Sequence, residues 1–408
     1  MTPDSTPLKR QLNVPLLFLY GLGTILGAGI YVLVGKVAGS AGMYAPLAFV
    51  LSAVIAIFTG LSYSQLSVKY PRSAGEALYV EHAFSWPLLS RLVGWGVICT
   101  GLVSAATLVN GFAGYLSVFV HTPHALAVTL AVVVITLIAC WGILESVSIA
   151  AVITLVETGG LLLVVFALRQ HFGDLPDRLN ELVPPLDTTV WLGILMGAFI
   201  AFYAFIGFED MVNVIEEVRQ PSKSMPRAIM LALGVSSVFY FIVALVAVLA
   251  ADPVTLNNSR SPMVDLLRAD HPGLAKGVGM ISLIAIINGA LVQIIMGSRL
   301  LYGMACQNIA PRIFQRISTR TRTPVLATLA IGTFVCVFAL ALPLVTLAKL
   351  TSFIIILVFT LVNLALLVIR LRENRTQRWT RKICLILQPL IAASSCIALL
   401  LVPLIHLI

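Results

Sequence analysis

The sequence has few charged residues. Asp, Glu, Lys and Arg make up only 11% of its 408 residues, whereas 59% are apolar, and the mean hydropathy is +1.02. Soluble domains carry about 25% charged residues, so an ordinary soluble enzyme is excluded. A helix needs about 20 apolar residues to cross a bilayer, and the apolar content suffices for roughly ten to twelve crossings. The apolar runs are long rather than alternating, which argues against a membrane β-barrel.

Catalytic and metal-binding motifs are missing as well. The chain has no GxSxG, HExxH or P-loop pattern, its six histidines do not cluster, and its six cysteines have no CxxC spacing. We therefore expect no enzyme activity, no cofactor and no metal site. Residues 1–12 form a polar start without a cleavable apolar region, so we expect a retained tail rather than a signal peptide.

Eleven apolar segments predict membrane-spanning helices. They cover residues 13–37, 42–68, 86–118, 125–141, 147–168, 190–215, 228–250, 276–305, 324–343, 345–369 and 383–407. Little more than Pro343 separates the ninth segment from the tenth, which predicts a tight hairpin. Two longer connections cover 169–189 and 251–275. Within the second, Ser261–Leu267 is predicted either as a short amphipathic helix that covers a vestibule or as a solvated loop.

The distribution of basic residues predicts the orientation of these segments. Of the 26 Lys and Arg residues, 18 lie on the side of the N-terminus, six on the other side, and two, Arg299 and Lys349, within segments. Short cytoplasmic loops are enriched in Lys and Arg, so we expect a cytoplasmic N-terminus and a C-terminus on the other side. The net charge of +9 then reflects topology beside anionic lipid rather than nucleic-acid binding.

Two segments carry features that interrupt a helix. The first segment contains Gly27-Ala28-Gly29, and the sixth contains Gly207 followed by Glu209 and Asp210. Glycines in membrane helices also permit close helix packing. Interrupted segments at matching positions in two halves, however, indicate the binding site of an inverted-repeat transporter. A half-helix N-terminus attracts a carboxylate, and free carbonyl groups suit an ammonium, so the pair of breaks fits an amino acid.

Five motifs in order make the sequence similar to a known family. They are Gly27–Ile30, Tyr70–Glu76, Phe202–Glu209, Glu216–Pro221 with Met225–Arg227, and Ser298–Ala305. With these motifs, the chain resembles the amino acid–polyamine–organocation (APC) superfamily of amino acid permeases from about residue 13 to residue 366. The resemblance implies an all-α membrane protein with the leucine-transporter-like 5+5 inverted repeat and about eleven transmembrane helices. It implies a transport core at 13–369, with repeats at 13–168 and 190–369, followed by an extra C-terminal helix at 383–408.

The resemblance also implies a substrate site at the two breaks. Carboxylate binding is expected at backbone N–H groups of Gly27–Gly29, and ammonium binding at carbonyl groups of both segments. The expected substrate-binding residues are Thr24, Ile25, Gly27, Ala28, Gly29, Tyr203, Ala204, Phe205, Ile206, Gly207 and Phe208.

The sequence departs from the family at three points. Some relatives have a serine at the position of Ala28, which offers no hydroxyl, so backbone N–H groups must bind more of the carboxylate. The family commonly has twelve spans instead of eleven. Several members carry a lysine where the fifth segment has Glu157.

Ionisable groups within the segments are candidates for coupling or gating, because charges in the bilayer are costly. Glu157 is interpreted as a proton carrier, with cation binding and a structural carboxyl as alternatives. Glu209 is expected either to link substrate and gating or to bond its own broken helix, and Asp210 to cap the resumed helix. Lys349 is either a gate or a snorkelling side chain. Asn288 is the asparagine favoured to line the pathway.

The sequence thus predicts a secondary transporter that moves amino acids across the cytoplasmic membrane by alternating access. The preferred coupling is proton symport, with an amino-acid exchanger as the first alternative. The absence of a soluble signalling domain disfavours a non-transporting sensor, and the broken-helix pair disfavours a channel. The expected partners are the amino-acid substrate, protons and the lipid bilayer, and a neutral substrate is favoured.

Overall fold

The computed structural model describes residues 12–71, 75–141, 147–373 and 379–405. Its long helices follow the apolar segments in order, and α3, α7, α10 and α11 lie in the connections. The α-helices are α1 (Val14–Ala41), α2 (Ala45–Lys69), α3 (Gly75–Phe84), α4 (Pro87–Leu116), α5 (His124–Trp141), α6 (Val147–Ala167), α7 (Leu175–Arg178), α8 (Thr188–Ala201), α9 (Pro221–Ala250), α10 (Pro253–Asn258), α11 (Pro262–Arg268), α12 (Pro272–Cys306), α13 (Val325–Ala341), α14 (Leu344–Glu373) and α15 (Trp379–Ile405). The 3₁₀ helices cover Gly42–Tyr44, Arg169–Asp174, Leu179–Leu182, Phe202–Phe205, Glu209–Glu217 and Arg312–Gln315.

The helices are those of a polytopic membrane protein. Each of the eleven predicted segments carries a helix, and the described residues contain no strand apart from one β-bridge between Leu12 and Val218. By length and composition, eight helices of the described chain can cross a membrane, or nine if the bent pair Ala151–Ala167 and Arg169–Leu182 is one span. Two further apolar helices, Val14–Gly27 and Val325–Ala341, are shorter. The all-α membrane class is confirmed, and the 5+5 repeat stays a prediction.

Polar contacts distinguish two faces of the helical bundle. On the N-terminal face, Leu12 exchanges backbone hydrogen bonds with residues 217 and 219, and Lys69 pairs with Glu373. On the opposite face, Lys36 donates to the Asn257 carbonyl. The predicted tail at 1–12 lies outside the described residues except for Leu12, and residues 406–408 of the predicted C-terminal helix at 383–408 lie outside them too.

The connection between α9 and α12 confirms one prediction. Residues 262–268 form the short amphipathic helix α11, which buries Met263, Val264, Leu266 and Leu267. On α4, the Tyr115 hydroxyl donates to the Tyr31 carbonyl of α1 at 2.7 Å and accepts from the Met263 N–H at 3.4 Å. This connection therefore covers α1 on the face of the bundle opposite the N-terminal face.

Two loops refine the predicted boundaries. Only Leu342 and Pro343 separate α13 from α14, so the predicted tight hairpin is confirmed. The third segment forms one helix, α4, and the separate ten-residue helix α3 precedes it. Ser85 has φ of 52° between α3 and α4, and Pro87 at the start of α4 cannot donate a helical hydrogen bond. The chain therefore turns between a helix along the N-terminal face and a spanning helix.

Buried polar side chains join spans to one another. The Asn110 amide of α4 donates to the Ala339 carbonyl of α13 at 2.9 Å, and the Asn363 amide of α14 donates to Thr59 of α2 at 3.1 Å. Uncharged amides within spans commonly form such hydrogen bonds to neighbouring helices. Asn363 also lies 3.8 Å from the Cys396 sulfur of α15, so the C-terminal helix packs against the core.

Candidate functional site

The predicted interruption of α1 is present at Gly27. Its φ of −23° and ψ of −138° depart from helical values, and two helical stretches meet there at an angle. A backbone outside the helical geometry cannot form all the hydrogen bonds of the regular ladder. Within a membrane, such polar groups are tolerated where they are buried in protein or line a cavity.

The sixth segment is broken over more residues than the first. The α-helix α8 ends at Ala201, a 3₁₀ turn covers Phe202–Phe205, and Ile206 is extended. Gly207 has φ of +128°, a conformation that side chains with Cβ rarely adopt. The chain resumes as the 3₁₀ helix Glu209–Glu217 instead of an α-helix.

The two breaks lie directly against each other. The Thr24 hydroxyl donates to the Gly207 carbonyl at 3.0 Å. A Cβ on Gly207 would lie 2.5 Å from the Thr24 carbonyl oxygen, and a Cβ on Gly29 would lie 2.8 Å from the Ala204 Cα. Contacts this short leave room only for glycine, which explains why each break carries glycine where it meets the other segment.

Tyr240 of α9 holds the two breaks together. Its buried hydroxyl lies within hydrogen-bond distance of the Ile25 carbonyl and 2.7 Å from the Ala204 carbonyl. The Tyr240 ring packs edge-on against Phe205 at 4.9 Å. Carbonyl oxygens have two lone pairs, so both carbonyl groups retain capacity for a second donor such as a substrate ammonium.

A cavity lies beside the breaks. It is lined by Tyr20, Gly23, Thr24, Ile25, Gly27, Gly29, Ser104, Leu108, Thr154, Tyr203, Ala204, Ile206, Asn288, Gly289, Val292 and Gln293. The lining comes from both breaks and from α4, α6 and α12. This set includes seven of the expected substrate residues together with Asn288.

The lining is uncharged and combines apolar with polar side chains. None of the described residues that line the cavity is Asp, Glu, Lys, Arg or His. The polar side chains include the amides of Asn288 and Gln293, which both donate and accept, and the hydroxyl of Tyr203. That hydroxyl lies 3.0 Å from both the carbonyl and the hydroxyl oxygens of Ser104. Such a lining suits a small molecule without net charge.

Glu157 lies behind this cavity and contacts it through Asn288. The Asn288 amide donates to Glu157 Oε1 at 3.5 Å. The Glu157 side chain is fully buried, and its other carboxyl oxygen, Oε2, has no hydrogen-bond partner among the described residues. The Tyr31 hydroxyl fixes the backbone here by donating to the Glu157 carbonyl at 2.7 Å. The carboxyl is therefore one side chain away from any molecule in the cavity.

Glu209 and Asp210 occupy the break differently from each other. Glu209 Oε2 accepts the Gly207 N–H at 2.8 Å, the contact with its own broken helix that was one of two expectations. Asp210 was expected to cap the resumed helix, and this is wrong. No side-chain cap is formed there, and Asp210 Oδ2 is buried without a hydrogen-bond partner in the described chain. A 3₁₀ start at Phe208 places Asp210 inside the first turn rather than before it.

The remaining predicted residues lie outside the cavity lining. Phe205 packs on Tyr240, and Phe208 packs against Tyr63 at 5.4 Å. Lys349 is half-buried early in α14, towards the opposite face, and in the described structure forms no ion pair with Glu157 or Glu209. The side chain of Ala28 lies outside the described residues. No group of three or more metal-ligating side chains occurs in the described part of the chain.

Several lining residues escape sequence reasoning. Ser104, Thr154 and Tyr20 are small or amphipathic residues that are common in membrane helices, so no pattern distinguishes them. Gln293 had a usable signal, because an uncharged amide within an apolar span commonly marks a contact or a pathway. Tyr240 lies in a uniformly apolar run, and only the structure brings it to the breaks.

Comparison with known proteins agrees with this geometry. The family model described as "Amino acid permease" matches residues 12–407. An uncharacterized transporter of Mycobacterium tuberculosis is 30% identical over 97% of this chain and 86% of its own length. A branched-chain amino acid permease of Bacillus subtilis is 25% identical over 91% of this chain and 83% of its own length.

The name of a third relative refers to a different class of substrate. A vacuolar cationic amino acid transporter of Arabidopsis thaliana is 30% identical over 89% of this chain and 60% of its own length. These relatives are transporters, not enzymes. The names of the bacterial permease and the plant transporter indicate different amino-acid classes, so similarity alone does not select the substrate.

Proposed function

Because the chain belongs to the amino acid permease family of the APC superfamily, we propose that it is a proton symporter of neutral amino acids. The family match supports amino acid transport, and the multiple apolar helices support a multi-pass membrane protein. The single observation that carries the finer proposal is the contact between Glu157 and Asn288, which joins a buried carboxyl to an uncharged cavity at two helix breaks.

Backbone groups at the breaks would hold the main chain of the substrate. We propose that the carboxylate binds N–H groups at Gly27–Gly29 and that the ammonium binds carbonyl groups of Ile25 and Ala204 beside Tyr240. Oriented backbone dipoles bind such charges without a charged side chain. Alternating access through such a site is the transport mechanism that paired broken helices favour.

The proposed coupling site is Glu157. A carboxyl enclosed by α1, α6 and α12 is costly to ionise there. Asn288 contacts both this carboxyl and the cavity, so the protonation of Glu157 and the binding of substrate can affect each other through its amide. The orientation of the Asn288 amide can respond to either state, since an amide donates and accepts. Proton binding at Glu157 and substrate binding at the breaks would then favour the same conformation, which is the requirement for symport.

We further propose that the N-terminal face is cytoplasmic and that the protein resides in the cell's plasma membrane, the inner membrane of a bacterium. The excess of Lys and Arg on the N-terminal side supports this orientation. Glu209 and Lys349 are proposed as gating residues, Glu209 because it holds Gly207 at the break.

Uptake into proteoliposomes tests the function. With the interior more alkaline by about one pH unit, we expect accumulation of a labelled neutral amino acid up to about tenfold, since one unit is worth about 1.4 kcal/mol per proton. Without the gradient, uptake should stop at equal concentrations. Uptake that instead requires internal amino acid and ignores the gradient would favour the exchanger, and no uptake of any amino acid would overturn the proposal.

Substrate selection tests the uncharged cavity. We expect neutral amino acids to inhibit uptake in the unaltered protein, and lysine or arginine to inhibit it only weakly. Gln293→Glu adds a carboxylate to the lining, so inhibition by lysine should improve by about tenfold or more, because a hydrogen bond to a charged group contributes about 1.5–3 kcal/mol.

Gln293→Leu is the matched control, since it removes the amide without adding charge. It should change affinity for neutral substrates and leave lysine a weak inhibitor. Strong inhibition of the unaltered protein by lysine would contradict the proposed selectivity while leaving amino acid transport intact.

A further inference from the structure

A second group of buried carboxyls lies on the N-terminal side of the breaks, away from the cavity. Glu76 on α3 is 4% exposed, Glu209 is 4% exposed and Asp210 is 7% exposed. The Tyr63 hydroxyl of α2 lies between two of these groups, because it donates to Glu76 Oε1 at 3.3 Å and is close enough to Glu209 for its charge to act on it. The charge of Glu76 likewise acts on Asp210.

Aromatic rings enclose this carboxyl group. The Tyr63 ring contacts Phe208 and Phe359, each with centroids 5.4 Å away, and contacts Tyr79 at 6.4 Å. Phe208 immediately precedes Glu209 in the chain. The rings therefore pack beside the carboxyls, at the point where the sixth segment resumes after its break.

Polar atoms in this layer remain unsatisfied. In the described part of the chain, Asp210 Oδ2 and the Tyr79 hydroxyl are buried without hydrogen-bond partners. The charge of Glu76 acts on both Glu209 and Asp210, and like charges that interact in a buried setting are costly to hold together. Asp210 thus has an unsatisfied acceptor atom beside two further carboxyls. An arrangement of this kind can hold a very small ligand, and a proton fits.

Glu76 is the member of the group that lies outside the membrane-spanning helices, whereas Glu209 and Asp210 belong to the span Thr188–Glu217. It lies in the first turn of α3, which runs along the N-terminal face instead of crossing the membrane. Burial raises the pKa of the Glu76 carboxyl to about 7, while its own N–H and the Tyr63 hydroxyl oppose the rise. The group therefore exchanges its proton near neutral pH.

The other helices packed on α3 add no described cation to Glu76. From α4, Ser90 donates to the Ala77 carbonyl and Arg91 is exposed. From α14, Arg370 binds Gln65 and Arg372 binds the His82 carbonyl. Arg72, four residues before Glu76, lies outside the described residues. From α2, Lys69 pairs with Glu373. The charge of Glu76 acts on Glu209 and Asp210, and the nearest described cation to this group is Arg299, which acts together with Asp210 on Tyr20.

We propose that Glu76 is the proton-release carboxyl of the transporter, from which the coupled proton leaves on the N-terminal side. The inference rests on the proposed proton symport. In the release step, the O–H bond of protonated Glu76 breaks and water on that side takes the proton. The remaining carboxylate keeps the hydrogen bond from Tyr63, and a proton from Glu209 or Asp210 then refills the site. The coupled proton released from Glu157 restores the carboxyl that gave up its proton, so one proton crosses in each cycle. Glu76 acts on the proton alone and touches no substrate.

The test compares net uptake with exchange in proteoliposomes of matched protein content, in molecules whose N-terminal face lies inside. Glu76→Gln should reduce proton-driven uptake by about tenfold, while exchange of labelled for unlabelled substrate stays within about twofold, because exchange needs no proton release. In the unaltered protein, net uptake should rise as internal pH increases through about 7, and Glu76→Gln should lose this rise. Glu81→Gln, the same change at an exposed position of α3, should leave both activities unchanged.

Thermal unfolding in detergent provides a readout besides transport. A carboxyl whose pKa is raised in the folded state stabilises the fold most below its unfolded pKa of about 4.3. That stabilisation is lost as pH rises through about 7. The unaltered protein should therefore lose stability between pH 5 and pH 8, and Glu76→Gln should lose less. A variant that is destabilised equally at both pH values would indicate a structural hydrogen bond and overturn the proposal.

The outcomes separate this inference from the proposed function. If the unaltered protein shows no proton-driven uptake, symport itself fails and the role of Glu76 fails with it. If proton-driven uptake is present and Glu76→Gln retains it with its dependence on internal pH, only the role of Glu76 fails. Equal losses of uptake and exchange in Glu76→Gln also overturn the role of Glu76. Tyr63→Phe removes the hydrogen bond but no carboxyl, so it should reduce net uptake less than Glu76→Gln does while exchange is retained.

Discussion

Replacing Glu157 by glutamine is expected to abolish accumulation driven by a pH gradient. Glutamine has nearly the shape of a protonated glutamate, and it can still accept from the Asn288 amide, which lies 3.5 Å from Glu157 Oε1. It cannot release a proton. The variant should therefore resemble the protein with the proton permanently bound, so substrate binding and exchange should persist while coupling is lost.

The expected magnitude follows from the gradient. A difference of about one pH unit supports at most about tenfold accumulation for one proton per substrate, and Glu157→Gln should reduce this ratio to about one. Exchange of labelled substrate should remain within a few-fold of the unaltered protein. Measurement of both activities on one preparation excludes loss of folded protein as the cause.

Two comparisons make the result specific to the carboxyl. Asn288→Leu breaks the contact to the cavity but leaves Glu157 in place, so it should weaken coupling as well as substrate affinity. Thr158→Val alters the next residue of α6, whose hydroxyl bonds only its own helix at 2.7 Å, and should leave coupling unchanged. Full accumulation by Glu157→Gln would assign Glu157 a structural role, the alternative that its buried position also allows.

The sequence predicts the membrane architecture well because the physical cause is local. A run of about 20 apolar residues forms a helix in lipid whatever its neighbours are. All eleven segments therefore carry helices, and even the hairpin at Pro343 is confirmed. The helix α3 was not predicted as a separate element, because its burial of Glu76 and Tyr79 depends on α2 and α14 instead of on its own pattern.

The candidate site is predictable only in part. Gly27 is recognisable from the stretch Gly27-Ala28-Gly29, and Gly207 from the two acids that follow it in an apolar segment. The non-helical geometry of both glycines is confirmed. Tyr240 and Gln293 reach the site through tertiary packing, which no local pattern records. Asp210 was misassigned for a related reason, since the sequence does not reveal that the chain resumes as a 3₁₀ helix.

Among the substitutions that leave every ionisable group in place, Gly207→Ala is expected to cause the largest loss of transport. Gly207 has φ of +128°, where a residue with Cβ is strained by about 1–3 kcal/mol. The added Cβ would also lie 2.5 Å from the Thr24 carbonyl oxygen and 2.7 Å from its carbon. Both are backbone atoms, so the two breaks must move apart. We expect transport to fall by at least about tenfold.

Gly21→Ala, in α1, provides a contrast. There the added Cβ would meet the Met211 sulfur at 2.2 Å, which is the flexible part of a side chain. We expect a milder loss, and Met211→Ala should restore activity to Gly21→Ala by removing the obstruction. No side-chain truncation should restore Gly207→Ala, because its obstruction is the backbone of Thr24.

Gly159→Ala is the matched control for adding a methyl group to a spanning helix. A Cβ there meets no atom within 4 Å, and alanine favours a helix over glycine by about 1 kcal/mol, so transport and expression should be unchanged. The four variants, Gly207→Ala, Gly21→Ala, Gly21→Ala with Met211→Ala, and Gly159→Ala, are compared by their uptake rates. Each rate is normalised to the amount of folded protein measured by size-exclusion chromatography. Normal transport by Gly207→Ala would mean that the two breaks need not touch, and the substrate site would then have to be sought away from their contact.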